Sequence, residues 1–206
     1  MGKLITIVGN SGVGKTTLTQ ALCQQAGYVT GIEEPAERPF QYQFARDLHR
    51  YALANQIDFL LFRANQEREL RQFEETAVQD GGLDQDFYIF TRHFHERAYL
   101  STAEFALCQQ LHTTLRQLLP PPDLIIWLQA PLDTIATRYR QRGRPLEITQ
   151  LGDLAQLEQL MMSWLSLETA IPILQIDARH ADYLARAQLE ALQQQIEHMI
   201  TAVPTH

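Results

Sequence analysis

A parallel α/β sheet with helices on both faces is the fold this sequence predicts, and three observations predict it. Short apolar runs rich in β-branched residues recur along the 206 residues, helical patterns separate them, and a Gly-rich stretch follows the first run at once. Strands joined by helices must run parallel and be buried on both sides.

In chain order, the strands are expected at Leu4–Val8, Tyr28–Glu33, Ala77–Asp80, Leu124–Leu128 and Ile173–Ile176, which makes a five-stranded sheet. Helical patterns start from Thr16, Ala52, Phe87, Thr102, Leu132, Leu154 and Asp182. "PPPD" at 120–123 stops one helix just before the fourth strand, and Asp177 closes the last. No internal repeat or linker is present, so residues 1–206 form a single domain.

Gly9, Asn10, Ser11, Gly12, Val13, Gly14, Lys15, Thr16 and Thr17 stand between the first strand and the first helix as Gly-x-x-x-x-Gly-Lys-Thr. The glycines let backbone N–H groups turn inward around phosphate oxygens, and the helix N-terminus adds partial positive charge. Lys15 reaches the β- and γ-phosphates, and the Thr16 hydroxyl suits Mg²⁺. A nucleoside triphosphate with Mg²⁺ is the expected ligand.

The formal charge of −7 argues against a nucleic-acid surface as the main partner. Cys23 and Cys108 lack metal-like spacing and read as reduced thiols. No apolar run approaches the length of a membrane span, and the first strand begins by residue 4, so no membrane partner and a cytoplasmic location are expected.

Against this acidic background, "RYRQRGRPLE" at 138–147 gathers Arg138, Arg140, Arg142 and Arg144. A solvated helix end is one reading, since cations are favoured at a helix C-terminus. A mobile cationic lid over a transferring phosphoryl group is the other, because guanidinium groups match charge spread over several oxygens. The Asp-x-x-Gly and Asn-Lys-x-Asp motifs of switch GTPases are absent, and the fourth strand ends in Gln129 and Ala130, without an acidic residue. A small-molecule kinase with an Arg-rich lid at about 138–150 fits better.

"GNSGVGKTT", "EEP" at 33–35, "YALANQIDFLLFR" at 51–63, "DFYIF" at 86–90 and "RYRQRGRPLE" resemble the successive motifs of the deoxynucleoside kinase family. The resemblance implies a P-loop kinase fold, ATP and Mg²⁺, a deoxynucleoside acceptor and a homodimer. It makes Glu34 the general base for the sugar 5′-hydroxyl, and Arg138, Arg142 and Arg144 the phosphate-contacting arginines. Gln56, Arg63 and Asp86 match positions that bind the nucleobase, and Glu147 matches a contact to the 3′-hydroxyl. Asp80 falls where the family holds an acid near Mg²⁺, and Asp177 opens the loop that passes the adenine of ATP. Arg140 is out of step and is expected to face solvent.

Two positions depart from the family pattern. Gly81 stands where the family has an arginine after that acid, and Ala45 where it has a tyrosine for the 3′-hydroxyl. A rival alignment places Asp84 and Asp86 at the acid. Two other functions fit the phosphate loop: a nucleoside monophosphate kinase resembling thymidylate kinase, and a nucleotide-binding regulatory protein that has lost turnover.

Overall fold

Five parallel strands in the order β2-β3-β1-β4-β5 form the sheet of the computed structural model, which describes residues 2–31, 38–142 and 150–202. The strands are β1 (Leu4–Val8), β2 (Val29–Thr30), β3 (Ala77–Asp80), β4 (Leu124–Gln129) and β5 (Ile173–Asp177). Among the helices are α1 (Lys15–Ala26), α2 (Gln41–Arg46) and α3 (Leu48–Leu70). They are followed by α4 (Leu83–Gln85), a π turn (Asp86–Thr91), α5 (Arg92–Glu96) and α6 (Thr102–Leu118). The last are α7 (Leu132–Arg142), α8 (Leu154–Leu167) and α9 (Arg186–Ala202).

Side chains of a strand alternate between faces, and β4 uses both. Leu124, Ile126 and Leu128 pack with Leu18 and Leu22 of α1 and Leu189, Leu192 and Ile196 of α9. Ile125 and Trp127 pack on the other side with Leu157, Met161 and Trp164 of α8 and with Ile89 of the π turn. Covered on both faces, the sheet offers only its strand ends to a ligand, and in such folds the carboxyl ends are used. Pairing of Ile7 with Asp80 and of Gln129 with Asp177 brings the ends of β1, β3 and β5 to one edge.

Three helices begin more than one residue from where they are expected, the one read from Asp182 starting at Arg186 after a 3₁₀ turn at Ala181–Leu184. The helix read from Ala52 starts at Leu48, because the Asp47 side chain accepts from the Arg50 backbone N–H at 3.1 Å and caps it. The helix read from Phe87 begins at Leu83 and passes through the π turn. Of the expected strand Tyr28–Glu33, pairing covers Val29 and Thr30, the Gly31 carbonyl accepts from Gln66 Nε2 at 3.0 Å, and residues 32 and 33 lie outside the described residues. Both cysteines are free.

His93 on α5 is 1% exposed, and its Nδ1 has no hydrogen-bond partner. Burial holds its pKa below the ordinary 6.5, against the opposing pull of Asp153, whose Oδ2 lies 3.6 Å from Nε2. The unfolded chain therefore binds a proton that the folded chain refuses, and stability falls once the pH drops below the unfolded value. Between pH 7.5 and 5.5 the urea midpoint should fall, and by less in His93→Gln. An equal fall in both proteins would mean that His93 does not contribute.

Candidate active site

The phosphate loop is held open by its backbone and by neighbours on three elements. Gly9, Gly12 and Gly14 have φ of 152°, 88° and 114°, a region that side-chain-bearing residues rarely enter. Gln85 Oε1 accepts from the Gly9 N–H at 3.1 Å. Asn10 Nδ2 donates to the Leu154 carbonyl and to Glu158 Oε2, while its Oδ1 accepts from the Ser11 N–H. Burial raises the pKa of Glu158, and the Asn10 bond pulls against it. Lys15 Nζ donates to the Gly9 and Asn10 carbonyls at 2.9 and 3.1 Å, so the ammonium stands inside the loop.

Thr16 Oγ1 donates to Asp80 Oδ2 at 2.5 Å, which brings the two expected metal residues together. Asp84, the rival, is bound instead to His112 Nε2 at 2.8 Å and lies beside Arg116. Among the described residues no group of three or more His, Cys, Asp or Glu side chains could hold a metal. One hydroxyl and one carboxylate beside a phosphate site are hard oxygen donors of the kind that suit Mg²⁺.

From Asp80 a buried polar seam runs along α3. Arg63 is 8% exposed; its NH1 donates to the Asp80 carbonyl at 3.0 Å, and its Nε to Asp86 Oδ2 at 2.8 Å. Gln56, seven residues earlier on α3 and 2% exposed, donates from Nε2 to Thr91 Oγ1 at 2.7 Å. Two turns of helix thus put Gln56 and Arg63 on one face, as the spacing implies. Among apolar neighbours a buried ion pair is costly to form and costs roughly 3–5 kcal/mol to break on one side, so its presence here calls for a polar occupant or a strict geometry.

Gly81 has φ of 79°, and a Cβ there would approach Arg63 NH2 to 3.3 Å. The missing family arginine therefore coincides with a left-handed backbone packed over a different guanidinium. Ala45 is exposed on α2, next to the buried Phe44, whose ring meets Phe94 edge-on at 4.9 Å.

At the other side of the loop, Arg138 on α7 donates from NH1 to the Val13 carbonyl at 3.2 Å and to the Ala178 carbonyl at 2.8 Å. Its NH2 donates to the Arg179 carbonyl at 3.2 Å. Arg138 thus ties the phosphate loop to the segment after β5, where Asp177 Oδ1 accepts from the Arg179 N–H at 2.8 Å. Arg140 is exposed. Glu34, Arg144 and Glu147, with the side chain of Arg142, lie outside the described residues. On either side of the segment carrying Glu34, Gly31 and Arg38 are both fixed on α3, to Gln66 and to Asp58; Arg38 binds Asp58 in a two-pronged pair at 2.8 and 2.6 Å.

Sequence reasoning missed Gln85, Thr91 and Asn55. Gln85 had a usable signal, since an amide one turn after the third strand points back to the loop; Thr91 and Asn55 have none short of the fold.

The deoxynucleoside kinase family model matches residues 5–202. The chain is 29% identical over 184 residues to the deoxyadenosine/deoxycytidine kinase of Bacillus subtilis (strain 168), covering 88% of this chain and 85% of that protein. It is 26% identical over 206 residues to the deoxyadenosine kinase of Lactobacillus acidophilus, covering 94% and 95%. A structure of deoxyadenosine kinase from M. mycoides, with products dCMP and a flexible dCDP bound, superimposes with a TM-score of 0.81 at 21% identity, covering 95% of this chain and 99% of that one.

Proposed function

The chain belongs to the deoxynucleoside kinase family, and from that premise we propose that it transfers the γ-phosphoryl group of ATP to the 5′-hydroxyl of a deoxynucleoside. The observation that carries this reading is the hydrogen-bonded chain of polar side chains that runs from the exposed Thr16 and half-buried Asp80, beside the phosphate loop, to the buried Arg63, Asp86, Thr91 and Gln56. A thymidylate kinase-like acceptor is not favoured by the family match.

The N–H groups of Gly9–Thr17 cradle the phosphates of ATP, and Lys15 turns its ammonium from the loop carbonyls to the β- and γ-phosphates. Thr16 and Asp80 would hold Mg²⁺, which would supply charge neutralisation to the phosphates. Glu34 accepts the proton of the sugar 5′-hydroxyl as its oxygen attacks the γ-phosphorus in line with the departing ADP. Arg142 and Arg144 draw over the transferring group, whose charge spreads over its equatorial oxygens. Arg138 fixes the loop to the adenine side, where Asp177 borders the base of ATP. Gln56, Arg63 and Asp86 hold the nucleobase of the acceptor, and Glu147 its 3′-hydroxyl.

The deciding assay is direct. The protein, ATP and Mg²⁺ are incubated with deoxynucleosides and, separately, with their monophosphates. Deoxynucleoside monophosphate as product supports the proposal. Diphosphate only, or no turnover with ATP still bound, would replace it with one of the two other readings. The same family reading makes the working unit a homodimer in the cytoplasm, and sedimentation equilibrium that returns a monomer would overturn the first part. No helix among the described residues is long and apolar enough to cross a membrane.

Ala45 leads to a further expected outcome. Without a tyrosine hydroxyl beside Glu147, the 3′-oxygen loses one hydrogen bond, roughly 0.5–1.5 kcal/mol. Acceptor KM should be raised by up to about tenfold, the equivalent of ~1.4 kcal/mol. Discrimination against a 2′,3′-dideoxynucleoside should be poor, and Ala45→Tyr should improve both. Strong wild-type preference for the 3′-hydroxyl, with no gain in the variant, would show that another residue fills the role.

A further inference from the structure

The π turn Asp86–Thr91 interrupts an otherwise helical run from Leu83 to Glu96, and such turns gather at functional sites. Its effect here is geometric. On an α-helix, residues 86 and 91 would point about 140° apart. Closure from i to i+5 reduces that to roughly 50°. Asp86 and Thr91 consequently both face α3, one bound to Arg63 and the other to Gln56.

Thr91 is fully buried, and its hydroxyl has a single hydrogen, which it donates to the Asp86 carbonyl at 3.0 Å. Its oxygen can then only accept from Gln56, so the amide atom turned towards it must be the nitrogen. From the other side Asn55 Nδ2 donates to Gln56 Oε1 at 3.2 Å, but Asn55 Oδ1 has no partner among the described residues, so the orientation of Gln56 rests on Thr91. Flipping the Gln56 amide would set its oxygen against a hydroxyl oxygen whose hydrogen is given to the Asp86 carbonyl. One N–H and one oxygen lone pair of Gln56 remain for a ligand.

We propose that Thr91 is a positioning residue that locks the Gln56 amide in one orientation, so that the site selects nucleobases with an exocyclic amine beside an unprotonated ring nitrogen. Adenine presents that pattern through N6 with N7 or N1, and cytosine through N4 and N3. Bases with a keto oxygen in place of the amine meet the amide oxygen with another acceptor, a mismatch that buried polar sites reject strongly. This inference rests on the reading of Gln56 as a nucleobase contact.

The test uses matched pairs that differ at this edge, deoxyadenosine against deoxyinosine and deoxycytidine against deoxyuridine. For the wild type, kcat/KM should favour the amine member at least tenfold in any pair that is accepted. Thr91→Val should lower that ratio by about tenfold, mainly by raising KM for the amine substrate, while Thr91→Ser, which keeps the hydroxyl, should retain the wild-type ratio. If the valine variant does not fold, Thr91→Ala removes the same hydroxyl and is read in the same way. A wild-type preference for the keto members would overturn the lock. So would an unchanged ratio in Thr91→Val while Gln56→Leu abolishes discrimination. Unchanged kcat/KM for all four nucleosides in Gln56→Leu would instead remove the underlying nucleobase contact.

Discussion

Glu34→Gln is expected to lower turnover by roughly 10²–10⁴-fold, the range of a general base, while ATP binding stays intact. The reasoning is one of proton demand. A primary hydroxyl does not ionise near neutral pH, so its proton must leave as the new P–O bond forms, and glutamine offers no basic oxygen to take it. The separation of effects identifies the role: ATP affinity by titration and acceptor KM should stay within a few-fold, with the loss in kcat. A rate in Glu34→Gln close to wild type would remove Glu34 from the chemistry and leave the base to be found elsewhere along the cleft.

Lys15→Ala should act earlier, on the nucleotide itself. In the structure the ammonium bonds the carbonyls of Gly9 and Asn10, so it organises the loop before any phosphate arrives. Its removal deletes a cation from the phosphate site and leaves two inward carbonyls facing the anion. Loss of one preorganised donor at a site of developing charge costs roughly 10²–10³-fold in rate. Tight triphosphate binding should disappear as well, which distinguishes this variant from Glu34→Gln. The helix begins at Lys15 and alanine is a good helix former, so the thermal midpoint should hardly move. Retained affinity for ATP in a folded Lys15→Ala protein would contradict the assignment.

The strands with strong local signals stand where the sequence places them: β1 and β3 match to the residue, and β4 and β5 each extend by one. At the end of β2 the Gly31 carbonyl is taken by Gln66, a partner 35 positions away that no local pattern announces. The cap at Asp47 was legible in principle, since an acidic residue just before a helical run is a known start signal. The π turn was not, because DFYIFT has the composition of any buried helix and its extra residue is fixed only by what Asp86 and Thr91 find on α3. The same division holds at the site. A contiguous phosphate loop can be read from nine residues, whereas Arg63 and Asp86 are matched to base-binding positions only by resemblance, and their pairing is set by packing.

The contact between the phosphate loop and α7 has a mechanical consequence. A Cβ at Gly12 would lie 3.2 Å from the Tyr139 nitrogen and 3.3 Å from the Ile135 carbonyl oxygen, and Arg138 clasps the Val13 carbonyl from the same helix. Loop and helix are therefore in backbone contact through residue 139. On the proposed lid role of Arg142 and Arg144, a swing towards a bound phosphate would pivot beyond that point, since a pivot before it would drag the nucleotide cradle along. The helix would then act as a lever whose fulcrum is the cradle, and lengthening or shortening its arm between Tyr139 and Arg142 by one residue would rotate position 142 by about 100° about the helix axis.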